Sequence, residues 1–315
     1  MSKKPFVIFI VGPTASNKTG AGIALAQMIN AEILSADSMQ IYQGIDILSA
    51  KPSLSERKKI RHYLVDGLDP KEEFSAALFR EQALSVIGQI IENKKIPLVV
   101  GGTGLYIRAL TQGLFEDKGK DEEFCKRLYA RAETEGPEKL YAELEKIDPK
   151  AAAKIHPHNL KRIIRALEAF HVNKIPFSKL QEKVNGLDKD YNLMKFGLLK
   201  PREKLYADIE KRVDEMFAQG AVEEVKKLAA IKLSRTASYV LGLNQIQAYL
   251  KNEISLDRAK EIIKQETRNF AKRQLTWFRR DKDIKWIAVD ANMTAENLAQ
   301  EIFSQLPKAI TKSVK

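Results

Sequence analysis

The 315-residue chain has one cysteine, Cys125, so it can form no internal disulfide and no thiolate zinc cluster. Such a chain fits a reducing compartment. Its four histidines, His62, His156, His158 and His171, are too scattered to suggest a metal site, and structural roles are expected for them. No run of about 18 apolar residues occurs, which argues against a membrane-spanning helix. The apolar run after Lys3-Lys4-Pro5 is too short for a secretory signal and leads into a glycine-bearing loop with no small-residue cleavage site. A cytoplasmic protein is expected. Positive charge, by contrast, is in excess. There are 53 Lys and Arg against 41 Asp and Glu, a net charge of +12, which suggests a polyanionic partner such as nucleic acid or else serves solubility alone.

With 44% apolar and 30% charged residues, the composition is that of a globular protein long enough to build its core without metal or disulfide staples. Short β-branched runs at residues 6–11, 31–36, 63–66 and 96–100 predict strands, and residues 19–29 and 76–93 predict helices between them. This alternation predicts a parallel sheet covered on both faces, with ligands bound at the carboxyl ends of its strands. Beyond Leu114 the pattern becomes charged and helical, over 116–154 and 159–170, with a polar loop at 172–190. A strand at 191–200, a helix after Pro201, a basic helix at 256–279 and a short strand at 284–289 complete the chain.

Gly12-Pro13-Thr14-Ala15-Ser16-Asn17-Lys18-Thr19 follows the first strand and opens the first helix. It meets the phosphate-loop spacing G-x-x-x-x-G-K-[ST] except that Asn17 stands at the second glycine. Backbone N–H groups at a helix start favour bound phosphate. Lys18 would neutralise a phosphate oxygen and the Thr19 hydroxyl would help hold Mg²⁺. Asparagine tolerates the left-handed backbone required at position 17 better than other side chains do. A Ser/Thr-rich helix cap carrying a stray lysine is the plainer alternative. The expected fold class is therefore α/β, a P-loop NTPase-like parallel sheet flanked by helices. Residues 1–116 and 191–315 would form the core, and 117–190 a helical insertion domain.

Strand two ends in Asp37-Ser38-Met39-Gln40-Ile41-Tyr42 and strand four in Gly101-Gly102-Thr103-Gly104-Leu105-Tyr106. Asp37 suits a general base or an outer-sphere Mg²⁺ partner, or else a helix cap. The three glycines allow close approach to a ligand, or simply a tight turn. Together with the loop, these segments resemble the tRNA dimethylallyltransferase family, whose motifs read G-P-T-A-S-G-K-T, D-S-x-Q-x-Y and G-G-T-G-L-Y. Lys51-Pro52, residues 61–66, Ile155-His156-Pro157, Arg162, Arg165–Glu168, Arg202 with Leu205-Tyr206, and residues 271–278 resemble its further blocks. Departures are Asn17, Leu48-Ser49 for Gly-Thr, His158-Asn159-Leu160 for Pro-Asn-Asp, and Gly242-Leu243 for Gly-Tyr.

The resemblance implies transfer of a dimethylallyl group from dimethylallyl pyrophosphate to the N6 amine of the tRNA adenosine 3′ of the anticodon. It implies that Asp37 takes the amine proton, Thr103 orients the amine, and Lys18, Thr19, Mg²⁺ and Arg202 hold the pyrophosphate. Asp37, Ser38, Met39, Gln40, Thr103, Lys161, Arg162 and Arg165 would grip the anticodon stem-loop. Arg268, Lys272, Arg273, Arg279 and Arg280 would follow its phosphates, unless they are a solvated basic face. Phe270, Trp277 and Phe278 are expected to pack the core. A monomer is expected. A weakened tRNA-binding paralogue and a small-molecule P-loop kinase are the alternatives.

Overall fold

The computed structural model describes residues 4–115, 119, 121–182, 184–290 and 292–311. The chain divides into two compact units, one comprising Met1–Thr111 with Leu187–Lys315 and the other Gln112–Gly186. From the sequence the second unit was placed at 117–190. The start of that insertion at 117, and of its first helical stretch at 116, lie outside the described residues.

Among the described residues of the larger unit, six strands form one parallel sheet: β1 Phe6–Val11, β2 Ala31–Ser35, β3 His62–Tyr63, β4 Ile96–Gly101, β5 Asn192–Leu199 and β6 Ile284–Ala288. Their order is β3-β2-β4-β1-β5-β6, with every pair parallel. The central strands read as unbroken apolar runs because helices cover both faces, as parallel sheets require. Val7, Phe9, Leu34 and Val99 face one apolar cluster, and Ile8, Ile10, Ile33 and Leu98 face the other, following the alternation of a strand. β3 is shorter than the run at 63–66 suggests: Leu64 and Asp66 take left-handed backbone angles, φ 57° and 61°, and leave the sheet.

Pairing β4 between β1 and β2 sets the geometry of everything above the sheet. Val11 pairs with Gly101, and Ser35 with Val100, so the loops after β1, β4 and β2 emerge side by side. Glu224, buried in the first turn of the helix Ala221–Ala229, fixes the loop beyond β2. Its carboxylate accepts the backbone N–H groups of Asp46, Ile47 and Leu48 at 2.9, 2.7 and 3.0 Å. Lys51, nearly inaccessible, ties the same loop together through Asp46, Asp66 and the Tyr42 carbonyl.

The smaller unit packs the helices Glu122–Glu135, Pro137–Ile147 and Leu160–Asn173 around Leu128, Leu140, Leu144, Ile163 and Leu167. Asp121 and Asn159 cap the first and third of these, accepting from Phe124 and Arg162 N–H. Residues 177–182, expected as loop, form a one-and-a-half-turn helix with only Leu180 buried. A segment that short shows no helical period in sequence.

Removing the Glu224 carboxylate strands three backbone donors. Glu224→Ala is expected to cost about 3 kcal/mol, the scale of losing charged hydrogen bonds to buried groups. Urea unfolding should show a lower midpoint with an unchanged slope.

Candidate active site

The phosphate loop contains two left-handed residues, Ala15 at φ 60° and Asn17 at φ 66°, the kind of backbone from which anion-binding concavities are built. Asn17 thus occupies the backbone region where glycine is usual, and it does so as an exposed side chain. The loop is pinned at several points. Ser16 Oγ donates to the Pro13 carbonyl at 2.9 Å, and Lys18 Nζ to the same oxygen at 2.5 Å. Lys200, at the end of β5, donates to the Ala15 carbonyl at 3.0 Å and pairs with Asp208 at 2.7 Å.

Next to it, the β2 and β4 turns are locked to one another. Ala36 N–H donates to the Val100 carbonyl at 2.8 Å, and Thr103 N–H donates to the Ala36 carbonyl at 3.2 Å. Ser38 N–H donates to Thr103 Oγ1 at 3.1 Å, and Met39 N–H to Asp37 Oδ1 at 2.9 Å. These bonds fix the Asp37 carboxylate and the Thr103 hydroxyl while leaving Asp37 Oδ2 and the Thr103 proton for a ligand. Gln40 is held by Ser35 and by the Ala50 carbonyl. The Gly-Gly-Thr-Gly glycines serve protein packing rather than ligand approach. A Cβ at Gly101 would overlap the Ala36 carbonyl, one at Gly102 the Gln274 amide, and one at Gly104 the Trp277 ring.

Above these loops lies a cavity of about 330 Å³. Thr14, Lys18 and Thr19 line one side, and Asp37 to Gln40 with Thr103 line another. The third wall is apolar: Val213, Met216, Val240, Ile263 and Phe270. Of the residues expected in the site, Gly12, Pro13, Ala15, Ser16 and Asn17 form the loop itself and do not line this space. Arg202 does not line it either. It is exposed in the first turn of the helix Arg202–Ala218, with its guanidinium over Tyr206, which packs on the same small apolar cluster as Ala15. Lys161, Arg162 and Arg165 belong to the smaller unit. Lys161 and Arg162 are exposed, whereas Arg165 pairs with the buried Glu168 at 2.5 Å and lies over Phe115.

Three cavity residues escaped the sequence reading. Arg212 lies on the same stripe as Ile209, Val213 and Met216, and a cation on the buried stripe of an amphipathic helix was the available signal. His62, assigned only a structural role, lines the cavity with its Nδ1 against the Ile60 carbonyl. Gln274 sits on the buried stripe of the helix Leu256–Phe278.

The electrostatics show a site built for an anion. Burial, then the charges of Arg212 and Lys200, push the Lys18 ammonium down to about 7, against the opposing pull of Asp37. Burial likewise lowers Arg212, with Asp37 opposing. Glu215 also opposes the shift of Arg212, while Asp37 acts on both cations. Outside the cavity, a shallow groove runs along the basic helix past Asn269, Lys272, Arg273, Thr276, Trp277 and Arg280. Arg273 also lines the cavity, so groove and cavity meet there. Arg268 is paired with Glu210 at 2.6 Å. Phe278 is core, Trp277 seats on Gly104, and Phe270 faces the cavity. No helix of the described residues is long and apolar enough to cross a membrane.

The model of the family described as IPP transferase matches residues 40–281. A tRNA dimethylallyltransferase of Pelotomaculum thermopropionicum is 42% identical over 304 residues, covering 96% of both chains. One from Acetivibrio thermocellus is 46% identical over 299 residues, covering 94% of this chain and 96% of its own. Among solved structures, the tRNA isopentenylpyrophosphate transferase of Bacillus halodurans superposes with a TM-score of 0.69 at 36% identity, covering 99% and 98% of the two chains. A eukaryotic dimethylallyltransferase acting on tRNA gives a TM-score of 0.79 at 28% identity, covering 99% of this chain and 84% of that one. With a family match across most of its length and relatives this similar end to end, the chain belongs to the IPP transferase family.

Proposed function

We propose that this protein transfers the dimethylallyl group of dimethylallyl pyrophosphate to the N6 amine of the adenosine on the 3′ side of a tRNA anticodon, releasing pyrophosphate. One observation carries the reading: in a chain of this family, an anion-seeking phosphate loop and a fixed carboxylate–threonine pair open into one cavity with an apolar wall. Pyrophosphate, amine and prenyl group each find a surface of matching chemistry there.

The N6 nitrogen attacks the prenyl carbon C1 as the C1–O bond to pyrophosphate breaks. Asp37 accepts the amine proton, and Thr103 orients the amine through its hydroxyl. Lys18, Arg212 and the N–H groups of residues 15–19 take up the negative charge growing on the leaving group, where preorganised donors contribute most. Val213, Met216 and Ile263 suit the five-carbon tail. The adenine reaches this space by leaving its stack. Ser38, Met39 and Gln40 border it, and Lys272, Arg273 and Arg280 are suited to phosphates of the same RNA strand. Lys161, Arg162 and Arg165 of the smaller unit remain candidates for the anticodon stem, and Arg202 for the outer phosphate.

Mg²⁺ fits the donors present. Thr19 and Asp37 offer hard oxygens, and no cluster of three His, Cys, Asp or Glu among the described residues could hold a metal alone. A cation here would keep waters and take phosphate oxygens, as Mg²⁺ does. When bound, it would supply charge neutralisation to the pyrophosphate. The proposed enzyme is a monomer acting in the cytoplasm. Kinase chemistry is not favoured, because the relatives named for prenyl transfer match nearly the whole chain.

Three outcomes test this reading. Asp37→Asn should bind tRNA normally yet lose at least about a hundredfold in transfer, read as isopentenyl-adenosine by mass spectrometry of digested nucleosides. Near-normal transfer would remove Asp37 from the chemistry.

Pyrophosphate binding should take up a proton, because the anion raises the depressed Lys18. Affinity is then complete below about pH 7 and weakens as pH rises above it. Calorimetry at about pH 8, in buffers of different ionisation enthalpy, should show an uptake that Lys18→Met abolishes. Equal proton exchange in both proteins would refute it.

Asn17→Gly should keep or strengthen donor binding, since glycine adopts the same left-handed angle freely. A sharp loss of activity would mean that the asparagine side chain makes a contact of its own.

A further inference from the structure

One buried amide joins the two loops on which the proposed chemistry depends. Gln274 projects from the inward face of the helix Leu256–Phe278 and is 7% exposed. Its Oε1 accepts the Thr14 N–H of the phosphate loop at 2.8 Å, and its Nε2 donates to the Gly102 carbonyl of the β4 turn at 2.9 Å. The ladder between β1 and β4 ends at Val11 and Gly101, three residues before Thr14 and one before Gly102. Gln274 therefore continues the connection where strand pairing stops. A Cβ at Gly102 would lie 2.3 Å from Gln274 Nε2, so a larger residue there would displace the amide from this contact. One turn further along the helix, Trp277 seats against Gly104 in the same manner. The helix is thus docked on both sides of Thr103.

We propose that Gln274 is a positioning residue that sets the separation between the pyrophosphate loop and the amine-orienting Thr103 turn. A primary amide suits the task because it presents one donor and one acceptor on a single planar group. Loosening it would let the prenyl carbon and the adenine amine drift apart while Asp37, Thr103, Lys18 and Arg212 are all retained. Displacements of about 1 Å in such arrangements cost on the order of a hundredfold in rate. The other face of the same helix exposes Lys272 and Arg273, so the element suited to RNA phosphates also braces the donor loop. The assignment rests on the reading of the two loops as donor and acceptor sites.

The test compares two variants in single-turnover transfer at saturating tRNA and dimethylallyl pyrophosphate. Gln274→Met keeps the length and loses both hydrogen bonds. It is expected to slow transfer by roughly ten- to a hundredfold while tRNA affinity stays within about twofold of wild type. Gln274→Glu restores one donor and one acceptor only while its carboxyl is protonated. Its rate relative to wild type should climb as pH falls from about 8 to about 6, a signature that loss of packing would not produce. A wild-type single-turnover rate in Gln274→Met overturns the proposal, as does a Gln274→Glu ratio that stays low and flat with pH. If the methionine variant fails to fold, the glutamate profile decides alone. Failure of the underlying loop assignment is seen separately, as full transfer by Asp37→Asn.

Discussion

Lys18 and Arg212 bring two cations together where burial penalises both, and the surrounding structure is organised to hold them there. Burial first, and then the like charges of Arg212 and Lys200, make the lysine lose its proton more readily, down to about 7. The Pro13 carbonyl and the Asp37 carboxylate offset only part of this. A pyrophosphate leaving group relieves that repulsion increasingly as negative charge grows on it during C–O cleavage. Under the proposed function, the crowding of positive charge that lowers Lys18 also stabilises the departing pyrophosphate.

Sustaining such a site needs loops that do not relax. The strand order provides the frame, because β4 lies between β1 and β2 and presents Thr103 between the phosphate loop and Asp37. Glycines at 101, 102 and 104 then let the Ala36 carbonyl, Gln274 and Trp277 press into the β4 turn. Glu224 immobilises residues 46–48, of which Leu48 forms part of the cavity wall. Each of these is a small side chain or a single polar group serving backbone placement. Stability and function coincide in them, since the preorganisation that aids catalysis is the satisfaction of buried donors and acceptors.

Much of this was legible in the sequence, for identifiable reasons. Strands β1 and β4 are continuous apolar runs, β2 is largely apolar apart from Glu32 and Ser35, and all three end in unusual residues where parallel sheets bind ligands. Asn17 could be assigned a left-handed backbone because few other side chains accept one, and it adopts φ 66°. Arg212 was hidden by its company: the stripe of Leu205, Ile209, Val213 and Met216 reads as core, and a nearby arginine reads as its solvated edge. Gln274 was hidden because its partners lie 260 and 172 residues away in sequence. The glycines at 101, 102 and 104 were visible as a demand for close approach, but what approaches them depends on how a distant helix docks. The helix at 177–182 was too short to show a period.

The most direct test is a crystal structure of the protein with inorganic pyrophosphate and an unmodified anticodon stem-loop. The account predicts pyrophosphate against the N–H groups of residues 15–19, beside Lys18 and Arg212. It predicts the adenine amine within hydrogen-bond reach of Asp37 and Thr103 in the same cavity. Pyrophosphate seated away from Lys18 and Arg212, or an adenine that enters without engaging Asp37, would contradict it.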